Sequence, residues 1–486
     1  MSAMRLSELM RRDVAVDPEI TGVTADSRQV RPGFLFAALP GVKADGRSFI
    51  PAALQAGAAA VLAANDVETL DAMATPVVRA ADPRRAYALA AAAFWGQQPR
   101  VCVAVTGTNG KTSVATFCRQ IFTRLGRSAA SMGTLGVRAG EDQLTPPGLT
   151  TPDAADVSRL LAELAGRGVT HLALEASSHG IDQRRLDGVN LTAAGFLNLT
   201  QDHLDYHGSM SAYLAAKLRL FEALLPRAGT AVLNADSDAF GAVAATATLS
   251  GHTLFSVGVE GQGLRLVSRV PTPSGQRLEI QAEGRRFVVD LPLAGAFQAS
   301  NALVAAGLCI AAGEPAQAVL EALEHIQGAP GRLQRVGTGA RGGEAYVDYA
   351  HTPDGLETVL NALRPHTRGR LIVVFGAGGD RDRGKRPIMG EIAQRLADVA
   401  IVTDDNPRSE DPAAIRAAIL AAAPDAREIG DRRAAIRAAA DLLQDGDVLV
   451  VAGKGHEQGQ TIAGVIHPFD DVGETLAALG RTSADD

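Results

Sequence analysis

Cysteine is scarce: there are three in 486 residues and none forms a Cys-x-x-Cys pair, so neither a disulfide framework nor a cysteine zinc site is encoded. Cys102, Cys118 and Cys309 fall inside apolar stretches and read as small core residues. Aromatic residues make up only 4% of the chain, too few for the base-stacking platforms of single-stranded nucleic-acid binders. An excess of positive charge is missing as well. The 47 Lys and Arg stand against 54 Asp and Glu, a formal charge of -7, which argues against generic affinity for nucleic acid or anionic lipid. Long apolar runs are also lacking. The longest, Ala86 to Trp95, ends at Gly96-Gln97-Gln98-Pro99 and is far too short to span a bilayer. The N-terminus, MSAMRLSELMRRDV, interrupts its apolar residues with charges every few positions, unlike a signal peptide. These absences lead us to expect a cytoplasmic protein with no nucleic-acid partner and no membrane insertion; a monomer is the accompanying expectation.

What is present is ordinary globular composition, 46% hydrophobic and 21% charged. At roughly 150 residues per domain the length suggests about three domains. Gly and Pro clusters at Gly96–Arg100 and Gly328–Arg332 mark plausible borders, dividing the chain into 1–99, 100–329 and 330–486. The central segment opens with Val101 to Val105, a run suited to a buried parallel strand. Val114, Phe117, Cys118, Ile121, Phe122 and Leu125 then follow a helical period, as do Val157, Leu160, Leu161 and Leu164 before a strand at Val169 to Leu174. Leu371 to Phe375, Val399 to Val402 and Val448 to Val451 repeat the logic, with Ala345 to Asp348 as a weaker fourth strand. Strands alternating with helices define an α/β fold with mostly parallel sheets. The first hundred residues suggest a small α/β domain, and Thr482 to Asp486 a frayed tail.

In open parallel sheets, ligands bind beyond the carboxyl ends of the strands. Those ends read Gly376–Asp380, Asp404–Arg408 and Gly453–Glu457 in the last third. In the centre lies Thr106-Gly107-Thr108-Asn109-Gly110-Lys111-Thr112-Ser113, between strand and helix. Backbone N–H groups of such a loop can cradle phosphate, Lys111 can reach β and γ phosphates, and the Thr112 hydroxyl can bind Mg²⁺. Val105 occupies the place of the usual first glycine, and Gly107 stands instead, so the loop is a variant. ATP is the expected nucleotide, but such a loop does not by itself name a reaction.

Glu175 closes a predicted strand, where a carboxylate can hold Mg²⁺ or merely face solvent. Lys217 falls on the apolar stripe Met210, Tyr213, Leu214, Leu218, Phe221 and Leu224. It either snorkels to solvent or is buried, and a buried amine has a lowered pKa and reacts with CO₂ when neutral.

The variant loop TGTNGKT is shared by Mur ligases and folylpolyglutamate synthases. Thr24–Arg28, Val42–Arg47, Leu149–Pro152, Glu175–Gly180, Asn198–Gly208, Ala215–Lys217, Val347–Pro353 and Asp405–Arg408 add to it. Together they resemble the MurE-type Mur ligases along essentially the whole chain, although Leu149 stands where a compared member has Asn. The resemblance implies three domains: an N-terminal domain binding a uridine nucleotide sugar, a central phosphate-loop domain, and a Rossmann-like C-terminal domain binding an amino acid. It implies ATP-dependent addition of meso-2,6-diaminopimelate to UDP-N-acetylmuramoyl-L-alanyl-D-glutamate through an acyl phosphate, in peptidoglycan synthesis.

By the same resemblance, Lys111, Lys217, Glu175 and His203 would be catalytic. Thr112, Glu175, His203 and Lys217, the last as a carbamate, would contact Mg²⁺. Asn301, Arg332 and His351 would add contacts to ATP. Ala25, Ser27, Val42, Lys43 and Ala44, with Arg47 nearby, would face the UDP end. Thr150, Thr151, Ser177, Gln183 and Arg185 would face the muramoyl-peptide end. Asp405, Asn406, Pro407 and Arg408, with Arg381, Gly453 and Glu457, would bind diaminopimelate. The physics supports the arginine, because diaminopimelate exceeds lysine by one carboxylate and a guanidinium can pair with it bidentately. Arg381, Arg383, Lys385 and Arg386, interleaved with Asp380 and Asp382, could equally form a solvated turn.

Other readings remain: the same ligation with L-lysine or another amino acid, folylpolyglutamate synthesis, a phosphate-loop kinase or NTPase, or a non-catalytic nucleotide-binding module. Gly376–Arg381 lacks the third glycine of a dinucleotide loop, and His456–Gln460 is not a zinc-protease motif.

Overall fold

The computed structural model describes residues 3–41, 45–66, 75–140 and 142–480. Val42, Lys43, Ala44 and the tail Thr482 to Asp486 therefore lie outside the described residues. By backbone contacts the chain forms two compact units. One runs to Ser256 and includes Gly307–Glu314; the other comprises Val257–Ala306 and the residues from Pro315 onward.

The first unit begins with a parallel four-stranded sheet, Gly22–Thr24, Phe34–Ala37, Ala60–Ala64 and Val77–Ala80, in that order. Alternation along Phe34–Ala37 sends Leu35 and Ala37 into a cluster with Leu6, Leu9 and Tyr87, and Phe36 into another with Ile50 and Ala53. Both faces are covered, as parallel sheets require.

The central sheet has Val101–Thr106 between two parallel neighbours, His171–Glu175 and Ala193–Phe196, with Ala129–Gly133 and Thr230–Asn234 outside them. The strand expected at Val169 to Leu174 starts two residues later and ends at Glu175. The helices Lys111–Arg124 and Ala154–Gly166 begin and end close to the apolar periodicity that predicts them. Cys102, Cys118 and Cys309 are all buried.

The second unit carries an antiparallel meander, Leu264–Thr272, Gly275–Ala282 and Arg285–Leu291. It also carries a six-stranded sheet ordered Gln334–Thr338, Glu344–Asp348, Val448–Ala452, Leu371–Phe375, Val399–Val402, Arg427–Glu428. All its pairings are parallel except the first. Leu371, Val373 and Phe375 pack on one face, Ile372 and Val374 on the other.

A fully buried ion pair ties this sheet to its helices. Arg432 opens the helix Arg432–Leu442, and Asp471 opens Asp471–Ala478; their side chains are bonded at 2.7 Å twice over. Arg432 also donates to the Ala452 carbonyl at 3.0 Å, at the end of a central strand. Removing one partner strands a buried charge, so Arg432→Met is expected to cost about 3–5 kcal/mol. Urea unfolding should show that loss, and Arg432→Met with Asp471→Leu should recover much of it. An unshifted midpoint in the single variant would contradict the assignment of strain to the orphaned carboxylate.

Candidate active site

Strand register brings the phosphate loop and its candidate partners to one edge. Glu175 lies opposite Val105, and Phe196 opposite Thr106, so three parallel strands emerge together. Gly110 caps the helix at φ +92, in the left-handed region that glycine enters without a Cβ penalty. Asn198, from the loop after the neighbouring strand, fixes the turn. Its side chain accepts from the Asn109 N–H at 2.9 Å and its carbonyl accepts from the Thr108 N–H at 3.0 Å. Lys111 donates to the carbonyls of Gly107 and Thr108 at 2.9 and 2.8 Å. Ser113 is buried in the first helical turn.

Glu175 is 3% exposed, and its carboxylate accepts from two threonines. Thr112 donates its hydroxyl at 3.1 Å, and Thr134 donates its N–H at 2.9 Å and its hydroxyl at 3.3 Å. Gly133 is required here, since a Cβ there would overlap this carboxylate. A carboxylate and a hydroxyl in contact are hard oxygen donors, the chemistry Mg²⁺ takes alongside substrate phosphates. Among the described residues no group of three or more His, Cys, Asp or Glu forms a metal cage, which suits an ion that keeps water and phosphate oxygens in its shell.

Lys217 is buried and donates to the Gly107 carbonyl at 2.8 Å, with its Nζ 4.2 Å from the Tyr213 ring centre. The apolar stripe thus carries the lysine inward, not outward. Desolvation, reinforced by the charge of Lys111, pulls its pKa down to about 6. A large fraction is then a neutral amine at pH 7, able to attack CO₂. His203 is half exposed, at φ +52, 3.5 Å from Asp202 and edge-on to His179 at 4.8 Å. Its ring also faces Tyr213 at 6.2 Å, and the Tyr213 hydroxyl donates to Thr108 at 3.3 Å.

The residues expected at the muramoyl-peptide end form one bonded series. Thr150 meets Thr134 at 3.0 Å, and the Thr151 hydroxyl donates to the Glu175 carbonyl at 3.1 Å and meets Ser177 at 2.9 Å. Arg185 donates to the Thr151 carbonyl at 2.6 Å and to Gln183 at 2.7 Å, and Gln183 donates to Tyr206 at 3.1 Å. In the N-terminal sheet region, Ala25 packs beside the apolar cluster, Ser27 opens the turn Ser27–Gln29, and Arg47 is paired with Asp45 at 2.5 Å.

In the second unit, Asn301 is buried and donates to Gln298 at 3.0 Å, and Gln298 donates to the Arg332 carbonyl at 3.1 Å. The Arg332 guanidinium lies 5.0 Å from the Tyr349 ring, which contacts the His351 ring at 4.5 Å. The three expected nucleotide contacts in this unit are thus linked through Gln298 and Tyr349.

A cavity of about 340 Å³ opens beside the strand ends of the same unit. Six of the seven residues expected to bind the amino acid line it, Arg381, Asp405, Asn406, Arg408, Gly453 and Glu457; Pro407 is buried and does not, whereas His351, expected at the nucleotide, does. Asn406 donates to Glu457 at 2.9 Å and accepts from Lys454 at 3.0 Å. Arg408 donates to the Gly379 carbonyl at 2.7 Å. The solvated-turn alternative splits by residue. Arg383 stays exposed beside Glu410 at 3.2 Å, Arg386 is buried against the same carboxylate at 2.9 Å, and Lys385 lines the cavity. Burial holds the Lys385 ammonium below the ordinary lysine value.

Sequence reasoning missed Thr134, Asn198, Tyr349 and Lys454 as site residues and left Lys385 open. Asn198 sits in a motif it did single out, and Lys454 between two strand-end glycines. Thr134 carries no local signal, since only strand order brings it to Glu175.

A phosphate loop and a buried strand-end carboxylate in one unit, with a charged amino-acid-sized cavity in the other, define a nucleotide-dependent α/β enzyme. Family models agree in three successive stretches: the Mur ligase family catalytic domain over 19–95, the Mur ligase middle domain over 105–309 and the Mur ligase glutamate ligase domain over 331–455. The chain belongs to the Mur ligase family. It is 72% identical to the UDP-N-acetylmuramoyl-L-alanyl-D-glutamate--2,6-diaminopimelate ligase of Caulobacter vibrioides, over 99% of each chain. It is 55% identical to the Brucella melitensis protein of the same name, over 96% of this chain and 95% of that one. A solved structure of a ligase of that name superposes with a TM-score of 0.76 at 34% identity, covering 99% of both chains.

Proposed function

We propose that this chain joins 2,6-diaminopimelate to UDP-N-acetylmuramoyl-L-alanyl-D-glutamate at the expense of ATP, as a step of peptidoglycan synthesis. The charge set of the cavity carries this reading. Arg381, Arg408 and Lys385 stand with Asp382, Asp405 and Glu457, cations and anions together, as a diamino dicarboxylate requires. Lysine would leave one guanidinium without a partner.

The chemistry follows from the need to activate a carboxylate in water. The D-glutamate carboxylate attacks the γ-phosphorus, ADP leaves, and an acyl phosphate remains. An uncharged amine of diaminopimelate then attacks the acyl carbon, phosphate departs, and the nitrogen loses its proton. Both steps gather anions, so fixed cations lower the barrier. We assign Lys111 and the N–H groups of Gly107 to Ser113 to the phosphates, and Thr150, Thr151, Ser177, Gln183 and Arg185 to the peptide end of the acceptor. Ala25, Ser27, Val42, Lys43 and Ala44 are assigned to its uridine end. Asn301, Arg332 and His351 are assigned to the nucleotide. Mg²⁺, when bound, supplies charge to the phosphate oxygens, with Thr112 and Glu175 holding it and His203 and carbamylated Lys217 as further contacts.

We also propose borders at 99/100 and 329/330, supported by the three matched stretches, and a monomer acting in the cytoplasm, where ATP and nucleotide-sugar precursors are found. No helix among the described residues is long and apolar enough to cross a membrane.

The test is direct. Protein, ATP, Mg²⁺ and the UDP-muramoyl dipeptide are incubated with single amino acids, and the products are weighed by mass spectrometry. Diaminopimelate should yield a conjugate heavier by that amino acid less one water, and lysine much less. A kinase or NTPase would release ADP without any such conjugate.

A further inference from the structure

Arg408 has φ +54, a left-handed conformation unfavourable to any residue with a Cβ, so something must hold it there. The holder is a small antiparallel hairpin, Gly459–Ile462 paired with Val465–Pro468. The Arg408 N–H donates to the Thr461 carbonyl at 3.0 Å, and the Ala463 N–H donates to the Arg408 carbonyl at 2.7 Å. Two further bonds reach its neighbours: the Gln460 amide donates to the Asp405 carbonyl at 2.7 Å, and the Thr461 N–H donates to the Asn406 side chain at 2.9 Å. Positive φ at Ala463 (+48) and Gly464 (+79) makes a turn of the type that tight hairpins favour and aims the Ala463 N–H outward. The hairpin is a two-stranded sheet of its own, with Val465 56% and Ile466 72% exposed. Isolated hairpins are marginal in water, so this one and the segment 405–408 order each other.

We propose that the hairpin Gly459–Pro468 is the specificity clamp of the amino-acid cavity, with Gln460, Thr461 and Ala463 as positioning residues that set the Arg408 guanidinium against the second carboxylate of a diamino dicarboxylate. This rests on the ligase reading above. The clamp's bonds go to Asp405, Asn406 and Arg408, residues given to the amino acid, so its loss is expected to show in amino-acid binding.

The experiment compares the full-length protein with Ala463→Pro, Ala463→Gly and Gln460→Ala. Proline has no N–H and cannot adopt φ +48, whereas glycine keeps both the donor and the turn. Ala463→Pro is expected to raise the apparent KM for diaminopimelate about tenfold or more, and Gln460→Ala about threefold, in keeping with one or two lost hydrogen bonds. The KM values for ATP and the UDP-muramoyl dipeptide should stay put, kcat should hold, and preference for diaminopimelate over lysine should fall. Ala463→Gly should behave as the unmodified chain. If Ala463→Pro does not fold, Gln460→Ala, which leaves the backbone intact, decides by the same criterion. An unchanged diaminopimelate KM, or a parallel rise in all three KM values, overturns the clamp. Failure of the unmodified chain to form any diaminopimelate conjugate would overturn the ligase reading instead.

Discussion

Lys217→Ala is expected to lose at least about a hundredfold in kcat, the scale seen when one preorganised charge-stabilising group is removed. Added formate or acetate should restore part of the activity. The reasoning is local. Lys217 is buried, shares the Gly107 carbonyl with Lys111, and titrates near 6. As an ammonium it would oppose Lys111; as a carbamate it presents an anion beside the phosphate loop, and a small carboxylate can occupy the vacated space. Steady-state kinetics with and without the added acid would decide. Full activity in the untreated variant would remove Lys217 from the mechanism.

The same burial has a stability consequence of opposite sign. Between about pH 6 and the ordinary lysine value of 10.5 the unfolded chain binds a proton at Lys217 that the folded chain does not. Wild-type stability therefore rises with pH across that window through this group. In carbonate-free buffer, Lys217→Met should unfold at higher urea than wild type at pH 7, with the advantage shrinking toward pH 10. A gain that grew with pH would contradict a buried neutral amine.

Arg408→Ala should reduce diaminopimelate turnover at least tenfold at subsaturating amino acid, because a charge-assisted hydrogen bond contributes about 1.5–3 kcal/mol. The loss belongs in the KM for diaminopimelate, with the KM for ATP unmoved. Selectivity should change with it, since lysine has no second carboxylate to lose a partner. Initial rates with each amino acid over a concentration series give both numbers. An unaltered diaminopimelate KM would contradict the role given to this side chain.

The strands were legible wherever the residues are apolar without interruption. Leu371–Phe375 and Val399–Val402 match the expected bounds, because strands buried on both faces need no neighbour to declare them. The boundary missed at Val169 lies where an apolar residue precedes the ladder, its N–H bonded back to the Leu164 carbonyl of the preceding helix. Lys217 was legible as an anomaly, a cation on an apolar stripe, but its direction was not; both burial and snorkelling suit that pattern until the helix is docked.

The order of residues along the chain determined the phosphate loop, the helices flanking it and the arginine-bearing turn at Asp405–Arg408, because each is a short segment whose chemistry is complete within a few neighbours. Only the tertiary structure decided that Thr134 and the bare α-carbon of Gly133 frame Glu175, that Lys454 is sealed beneath Asn406, and that a hairpin some fifty residues downstream grips Arg408. Those contacts depend on which strands lie side by side and on what burial does to a charge, and neither is a property of any local stretch of sequence.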